Sequence, residues 1–252
     1  FAAMKMVGLN VAADPLFTFA YLAINGGFVF VSADDPGMHS SQNEQDNRNY
    51  AKFAKIAMLE PSDSQEAKDM VAEAYKISET YGTPVMIRMT TRVCHSKSLV
   101  QTGERAAFPA VPYVKQRDKM DPVPAISKIR RYVVEEREGK LKEFSEHTPL
   151  NFEEMHDTKI GIVTSGVSYP YCKEVFGDNA SYLKLGFTYP LPLNKIRAFA
   201  DKVDTLYVIE ELDPFMEEQI QRAGIACHGK DVIPGIDELN PNRIAEGILG
   251  QS

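Results

Sequence analysis

The sequence predicts an α/β protein of two parallel-sheet units joined by an irregular stretch. Three observations predict it: short apolar runs bounded by turn residues, helical spacings between those runs, and a proline-punctuated middle where both signals lapse. Phe28 to Ser32 (F-V-F-V-S) is apolar without alternation, as strands buried on both faces of a parallel sheet are. At 252 residues the chain is long for one domain and comfortable for two.

Taken in order, Asp14-Pro15 fits a helix start, with Asp as N-cap and Pro at the first helical position. The following L-F-T-F-A-Y-L-A-I is apolar nearly all round, and Asn25-Gly26-Gly27 stops it. After Ser32 comes a long polar loop, then a helix from Asn47 to Lys55 and a brief strand Ala57-Met58-Leu59. Ser62-x-x-Gln65 reads as a capping box. Ala67, Met70, Val71, Ala74, Ile77 and Tyr81 follow at helical spacing, with Gly82 as the stop and V-M-I-R-M (Val85 to Met89) as the next strand. From about Thr102 to Asp157, Pro109, Pro112, Pro122, Pro124 and Pro149 break the pattern. A charged helix there, Ile126 to Phe144, shows no strong core stripe, so residues 103–157 read as a linker packed across a neighbouring domain. Regularity resumes with strands at Ile160 to Thr164, Tyr182 to Leu185 and Leu206 to Glu210. Helices lie between and after them: through Cys172 to Phe176, Leu193 to Val203, Pro214 to Ala223, and a last one from Asn240-Pro241, with a poorer strand near Ile225. The expected units are 1–102 and 158–252.

Composition narrows the function classes. A formal charge of −7 and a pI near 5.4 argue against a nucleic-acid groove. The basic cluster Lys128, Arg130 and Arg131 is followed by Glu135, Glu136 and Glu138, and reads as a solvated helix face. No apolar run approaches the ~20 residues of a membrane helix, and no signal peptide is legible. Three scattered cysteines, Cys94, Cys172 and Cys227, suit a reducing cytoplasm better than a metal or iron–sulfur site. The chain opens at Phe1 inside an apolar stretch, which reads as the interior of a longer protein.

Chemistry gathers where parallel strands end at their carboxyl side. The loop Val31 to Arg48, V-S-A-D-D-P-G-M-H-S-S-Q-N-E-Q-D-N-R, is far longer than the ~2 to 6 residues such a connection needs. Arg48 is its first candidate, since a guanidinium stays charged and grips a carboxylate with two parallel hydrogen bonds; a surface pairing with Glu44 is the competing reading. His39 could move a proton near neutral pH, or merely tie its own loop. Asp34-Asp35 could ligate a metal, but Asp35-Pro36-Gly37 is ordinary turn chemistry, the preferred reading. At the second strand end, Thr90, Thr91, Arg92 and His95 share the same edge; Cys94 beside His95 is a poor nucleophile pair, because neighbours in an extended chain face apart. Thr164 to Ser168 (T-S-G-V-S) is weak as a phosphate loop, and Glu210-Glu211 fits a domain interface or a surface equally.

The loop A-D-D-P-G-M-H-S-S-Q-N-E-Q-D-N-R with its continuation Y-A-K-F-A-K-I-A-M-L-E-P resembles the alpha subunits of the indolepyruvate:ferredoxin oxidoreductase family. So do M-K-M-V-G-L-N-V-A-A-D-P-L, L-G-F-T-Y-P-L-P (Leu185 to Pro192) and V-I-E-E (Val208 to Glu211). The resemblance implies a thiamine-diphosphate enzyme that oxidatively decarboxylates aryl pyruvates, with coenzyme A as co-substrate and ferredoxin as electron acceptor. It implies the later part of a pyrimidine-binding-type domain, then a transketolase C-terminal-like domain, in an oligomer with a beta subunit. It places Arg48 against the substrate carboxylate, and turns His39, Ser40, Ser41 and Gln42 toward the cofactor cleft or the partner subunit. No G-D-G motif occurs, so magnesium, diphosphate, iron–sulfur clusters and the activating glutamate are expected outside these residues. Two rival readings are a beta-type subunit of a lipoyl-dependent 2-oxoacid dehydrogenase and a non-catalytic assembly module.

Overall fold

The computed structural model describes residues 1–105 and 111–250, so Pro109 of the expected linker lies outside the described residues. The first unit opens with strand β1 (Ala2–Lys5), two short helices α1 (Met6–Val11) and α2 (Ala13–Tyr21), and strand β2 (Val29–Asp34). Helix α3 (Arg48–Ala54), β3 (Ala57–Leu59), α4 (Ser64–Tyr81), β4 (Val85–Thr90) and α5 (Thr91–His95) complete its sequence-local part. Then come α6 (Arg117–Met120), α7 (Pro124–His147) and β5 (Asn151–Glu154). The second unit runs β6 (Ile160–Ser165), α8 (Ser168–Phe176), β7 (Ser181–Leu185), β8 (Phe187–Tyr189), α9 (Leu193–Ala200), β9 (Thr205–Ile209), α10 (Phe215–Arg222) and α11 (Pro241–Leu249).

Two sheets form, in the orders β1-β2-β4-β3-β8 and β5-β7-β6-β9. Both are parallel except for one antiparallel edge strand each, β8 on β3 and β5 on β7. These edges stitch the units together. Strand β5, inside the stretch expected to be a linker, pairs with the second sheet, while β8 leaves the second unit to close the first. Gly186 sits at that crossing, where a Cβ would come within 2.8 Å of the Leu150 carbonyl. One face of the first sheet packs Val29, Ala57, Leu59, Val85 and Ile87 against Met70, Ala74 and Ile77 of α4 and Leu141 of α7. Its other face, with Phe30, Met58 and Met86, shares a continuous core with Val163, Leu183, Leu185 and Val208 of the second sheet. Each fully buried Val, Leu, Ile, Phe or Met side chain among these contributes about 1.5–3 kcal/mol.

Several local expectations shift. Helix α2 begins at Ala13 with Ala12 in the cap position, so Asp14 lies in the first turn and only favours the helix dipole. The capping box of α4 is one residue later than Ser62-x-x-Gln65: the Asp63 side chain accepts the Glu66 amide at 2.8 Å, and the Glu66 carboxylate reaches back to the Ser62 amide and hydroxyl. Near Ile225 there is no strand among the described residues, only an isolated bridge between Tyr207 and His228.

The largest correction concerns α7. It has a buried stripe, Arg130, Val134, Arg137, Glu138, Leu141 and Ser145, hidden from hydropathy because half of it is charged. Arg130 Nε donates to the Tyr21 carbonyl at 2.7 Å, and Arg137 donates to the Ala20 carbonyl at 2.8 Å and the Gly82 carbonyl at 3.2 Å. These are the C-terminal ends of α2 and α4, where unpaired carbonyls favour a cation. Only Lys128 and Arg131 of the basic cluster are solvated. No helix among the described residues is long and apolar enough to cross a membrane.

Candidate functional site

Strands β2 and β4 end side by side, with Asp34 in register with Thr90, and β3 ends just short of Glu60. The loop that follows β2 is organised by Asp35. Its carboxylate accepts from Thr91 Oγ1 at 2.7 Å, Ser41 Oγ at 2.5 Å, and the amides of Ser40 and His39 at 2.9 and 3.3 Å. Burial raises its pKa, but these hydrogen bonds outweigh burial and hold it down at about 2. The Asp35-Pro36-Gly37 turn closes with the Met38 amide on the Asp35 carbonyl at 3.0 Å, with Gly37 at φ 77°. Turn chemistry accounts for Asp35, whereas Asp34 faces away from the turn and is held by Arg88; among the described residues there is no group of three or more His, Cys, Asp or Glu with metal-ligand spacing.

A cavity of about 160 Å³ opens between this loop and α5, lined among others by Lys5, Asp34, His39, Ser40, Cys94 and His95. His39 and Ser40 are exposed, Ser41 is half-buried and Gln42 points to solvent. His39 Nε2 lies 3.2 Å from Glu238 of the second unit, which also receives Arg92. Cys94 is one residue from His95 on the short α5, and burial pushes its thiol up, away from the thiolate a nucleophile needs. At the second-unit strand end, Thr164 Oγ1 donates to the Ile209 carbonyl at 2.8 Å within the second sheet, and Ser165 Oγ lies 3.4 Å from Glu60 of the first unit.

Arg48 is where the units meet. It is fully buried, and its guanidinium is taken on every side. Nε donates to Asp46 at 2.8 Å, Nη1 to Glu210 at 2.5 Å, and Nη2 to Asp46 at 2.5 Å and to the carbonyls of Glu211 and Asp213 at 2.7 and 3.0 Å. The Phe215 ring lies 5.1 Å below it. Glu44, the alternative partner, instead accepts the Gly37 amide at 2.6 Å. The expected open face toward a substrate carboxylate is therefore filled in this structure by Glu210, which also accepts the Met216 and Glu217 amides at 3.0 Å and so caps α10.

Beside this pair lies a second buried group that the sequence reading did not single out. Arg88 Nε donates to Asp34 at 2.9 Å and Nη1 to Glu60 at 2.8 Å. The signal was present: an arginine inside the apolar run V-M-I-R-M needs a buried counter-charge. Asp34 Oδ2 also accepts the Asn47 amide at 3.1 Å, while Asp34 Oδ1, Asn47 Oδ1 and Arg88 Nη2 find no protein partner. Burial lifts the Asp34 carboxyl to about 7 despite Arg88. Asp46 goes the other way: burial opposes it, but Arg48 at hydrogen-bond distance keeps it ionised.

Residues 32–158 match the family described as pyruvate flavodoxin/ferredoxin oxidoreductase, thiamine diphosphate-binding, which is half of the chain. The chain belongs to this family. Indolepyruvate oxidoreductase subunit IorA of Pyrococcus horikoshii is 40% identical to this member over 98% of the chain. The same-named subunit of Archaeoglobus fulgidus is 39% identical over the same share. The chain spans 41% of the length of these relatives. Among solved structures, the 2-oxoglutarate:ferredoxin oxidoreductase of Magnetococcus marinus, with 2-oxoglutarate, coenzyme A and succinyl-CoA bound, superposes with a TM-score of 0.67. It is 15% identical, covering 98% of this chain and 52% of its own. A split-gene transketolase, described as an inactive tetramer, gives a TM-score of 0.54 at 13% identity, covering 90% of this chain and 64% of its own. These two likenesses establish the fold.

The residues on hand fit the family's cofactor only in part. Magnesium diphosphate calls for metal-ligating groups and free cations. The described residues hold no metal-ligating group of three or more, and Arg48 and Arg88 are already committed to carboxylates.

Proposed function

We propose that this chain is part of an indolepyruvate:ferredoxin oxidoreductase subunit, which decarboxylates aryl pyruvates oxidatively to the aryl-acetyl-CoA. The observation that carries the reading is the 40% identity to indolepyruvate oxidoreductase subunit IorA, maintained over 98% of the chain. Thiamine diphosphate supplies the carbanion chemistry when bound; this chain's residues shape one wall of the cleft. His39, Ser40, Ser41 and Gln42 form the exposed rim of that wall, held in place from below by Asp35. The complementary partners are a beta subunit and ferredoxin, and magnesium and the iron–sulfur clusters belong to parts of the enzyme beyond these residues.

Arg48 has two states in this reading. In the closed arrangement it holds the seam through Glu210, and a substrate carboxylate meets it only by taking the place of Glu210. The test is turnover of indolepyruvate by the complete enzyme, followed as aryl-acetyl-CoA formation with ferredoxin reduction. Aryl pyruvates turn over faster than 2-oxoglutarate if the reading is right; no turnover of any aryl pyruvate sinks it. Arg48→Ala in the same enzyme raises KM for indolepyruvate, and an unchanged KM and kcat removes Arg48 from substrate binding.

A further inference from the structure

The seam between the two units buries more negative than positive charge. Asp34, Asp46, Glu60, Glu210 and Glu211 are sealed from solvent there, facing Arg48, Arg88 and the half-buried Lys230. Five carboxylates against three cations leave two without a full counter-charge, and a buried carboxylate so placed is relieved by taking up a proton. The hydrogen bonds identify the two. Asp46 and Glu210 share Arg48, and Glu60 takes Arg88 Nη1. Asp34 uses Oδ2 alone and leaves Oδ1 unpartnered, while Glu211 accepts the Leu239 amide at a long 3.3 Å and faces the neutral Thr90 hydroxyl of the first unit. Burial raises both carboxyls, that of Asp34 to about 7.

We propose that the seam is a proton-coupled joint between the two units: it closes with Asp34 and Glu211 carrying protons, and it loosens as they release them to solvent. The cross-seam contacts most exposed to this change are those of Arg48, which donates to Glu210 and to the Glu211 and Asp213 carbonyls, while Arg88 holds Asp34 and Glu60 within the first unit. Around Asp34 the charged groups are Arg88 of β4, Asp46 and Arg48 ahead of and within α3, Glu60 through Arg88, the adjoining Asp35, Lys5 at the end of β1, and Cys94, His39 and His95 around the shared cavity. Around Glu211 they are Arg88, Glu238, Arg92 and Tyr171. The two histidines sit on the exposed rim of the same cavity, so His39→Gln and His95→Gln serve as controls.

Amide hydrogen exchange on this chain tests the joint, after correction for the intrinsic pH dependence of exchange. The Asn47 amide reports on Asp34 and the Leu239 amide on Glu211, each within its own unit, and the Glu60 amide, which donates across the seam to the Gly186 carbonyl at 2.9 Å, reports on the joint itself; strand amides of β4 and β6 are the internal reference. Between pH 6 and 8.5 protection of these three reporters falls by up to about tenfold per pH unit for each proton released on opening, while the strand amides hold. Asp34→Asn and Glu211→Gln each remove one proton's share of that slope, and the histidine controls leave it in place. A reporter protection independent of pH in the wild-type chain overturns the proposal, as does an unaltered slope in whichever carboxyl variant folds. A slope abolished by the histidine controls overturns it too.

Discussion

Arg48 illustrates how one side chain ties sequence-distant segments. Its removal as Arg48→Ala leaves Asp46 and Glu210 buried without their cation, which costs about 3–5 kcal/mol. The urea midpoint at pH 7 should drop accordingly with the slope unchanged. Arg48→Lys recovers only part of the loss, because an ammonium cannot serve Asp46, Glu210 and two carbonyls from one plane. Asp35 makes an acid-side prediction. Its folded pKa is depressed to about 2 from 3.8, so its contribution is present above about 4 and fades as pH falls through 2. Melting curves from pH 2 to 6 should show a shallower acid limb in Asp35→Asn than in the wild type. Identical acid limbs would mean its four donors do not distinguish charged from neutral forms. At this scale the sequence pointed to Arg48 and to the Asp35 turn, but not to Arg88 and Glu60, whose partners are 28 or more residues away along the chain.

At the scale of elements, periodicity worked where apolar residues do the packing and failed where charged ones do. Helix α4 was legible because Met70, Ala74 and Ile77 line its buried face and Gly82 ends it at φ 60°. Its cap was misplaced by one residue because Ser62 and Asp63 are both competent, and only the backbone at Asp63 puts the carboxylate over the Glu66 amide. Asp63→Ala should therefore destabilise by about 1 kcal/mol, whereas Gln65→Ala should leave the thermal midpoint nearly unmoved. Helix α7 escaped because its buried arginines serve the carbonyl ends of α2 and α4, a use that no hydropathy window registers. Strand β8 is only three residues long and could not be recognised apart from its partner. Gly186, which lets it cross between sheets, gives a sharp test: Gly186→Ala drives a methyl into the Leu150 carbonyl and Met70, and overpacking of this kind costs about 1–3 kcal/mol. Wild-type stability in that variant would show that the crossing can relax.

For the whole molecule, the raised Asp34 carboxyl fixes the sign of a pH effect. A folded pKa of about 7 against 3.8 unfolded means the native state holds the extra proton, so this group's share of stability is full below about 4 and is lost as pH rises through 7. Asp34→Asn should flatten that decline in chemical denaturation measured from pH 5 to 8, and an unchanged decline would assign it to other groups. The same seam joins the strand ends of both sheets, which is where a ligand in such folds is met.

The sequence by itself determined the fold class, the run of strands and helices whose burial is apolar, and the loop from Val31 to Arg48 as the chemically dense segment, because turn residues and hydrophobic spacing are local properties. Only the tertiary structure decided that β8 completes the first sheet and that Arg48 is held by Glu210. It alone brought Asp34 and Glu211 into one acid-rich seam. Those outcomes depend on which charges are brought together after the chain has lost its water, and desolvation is a property of the assembled core that no stretch of sequence carries.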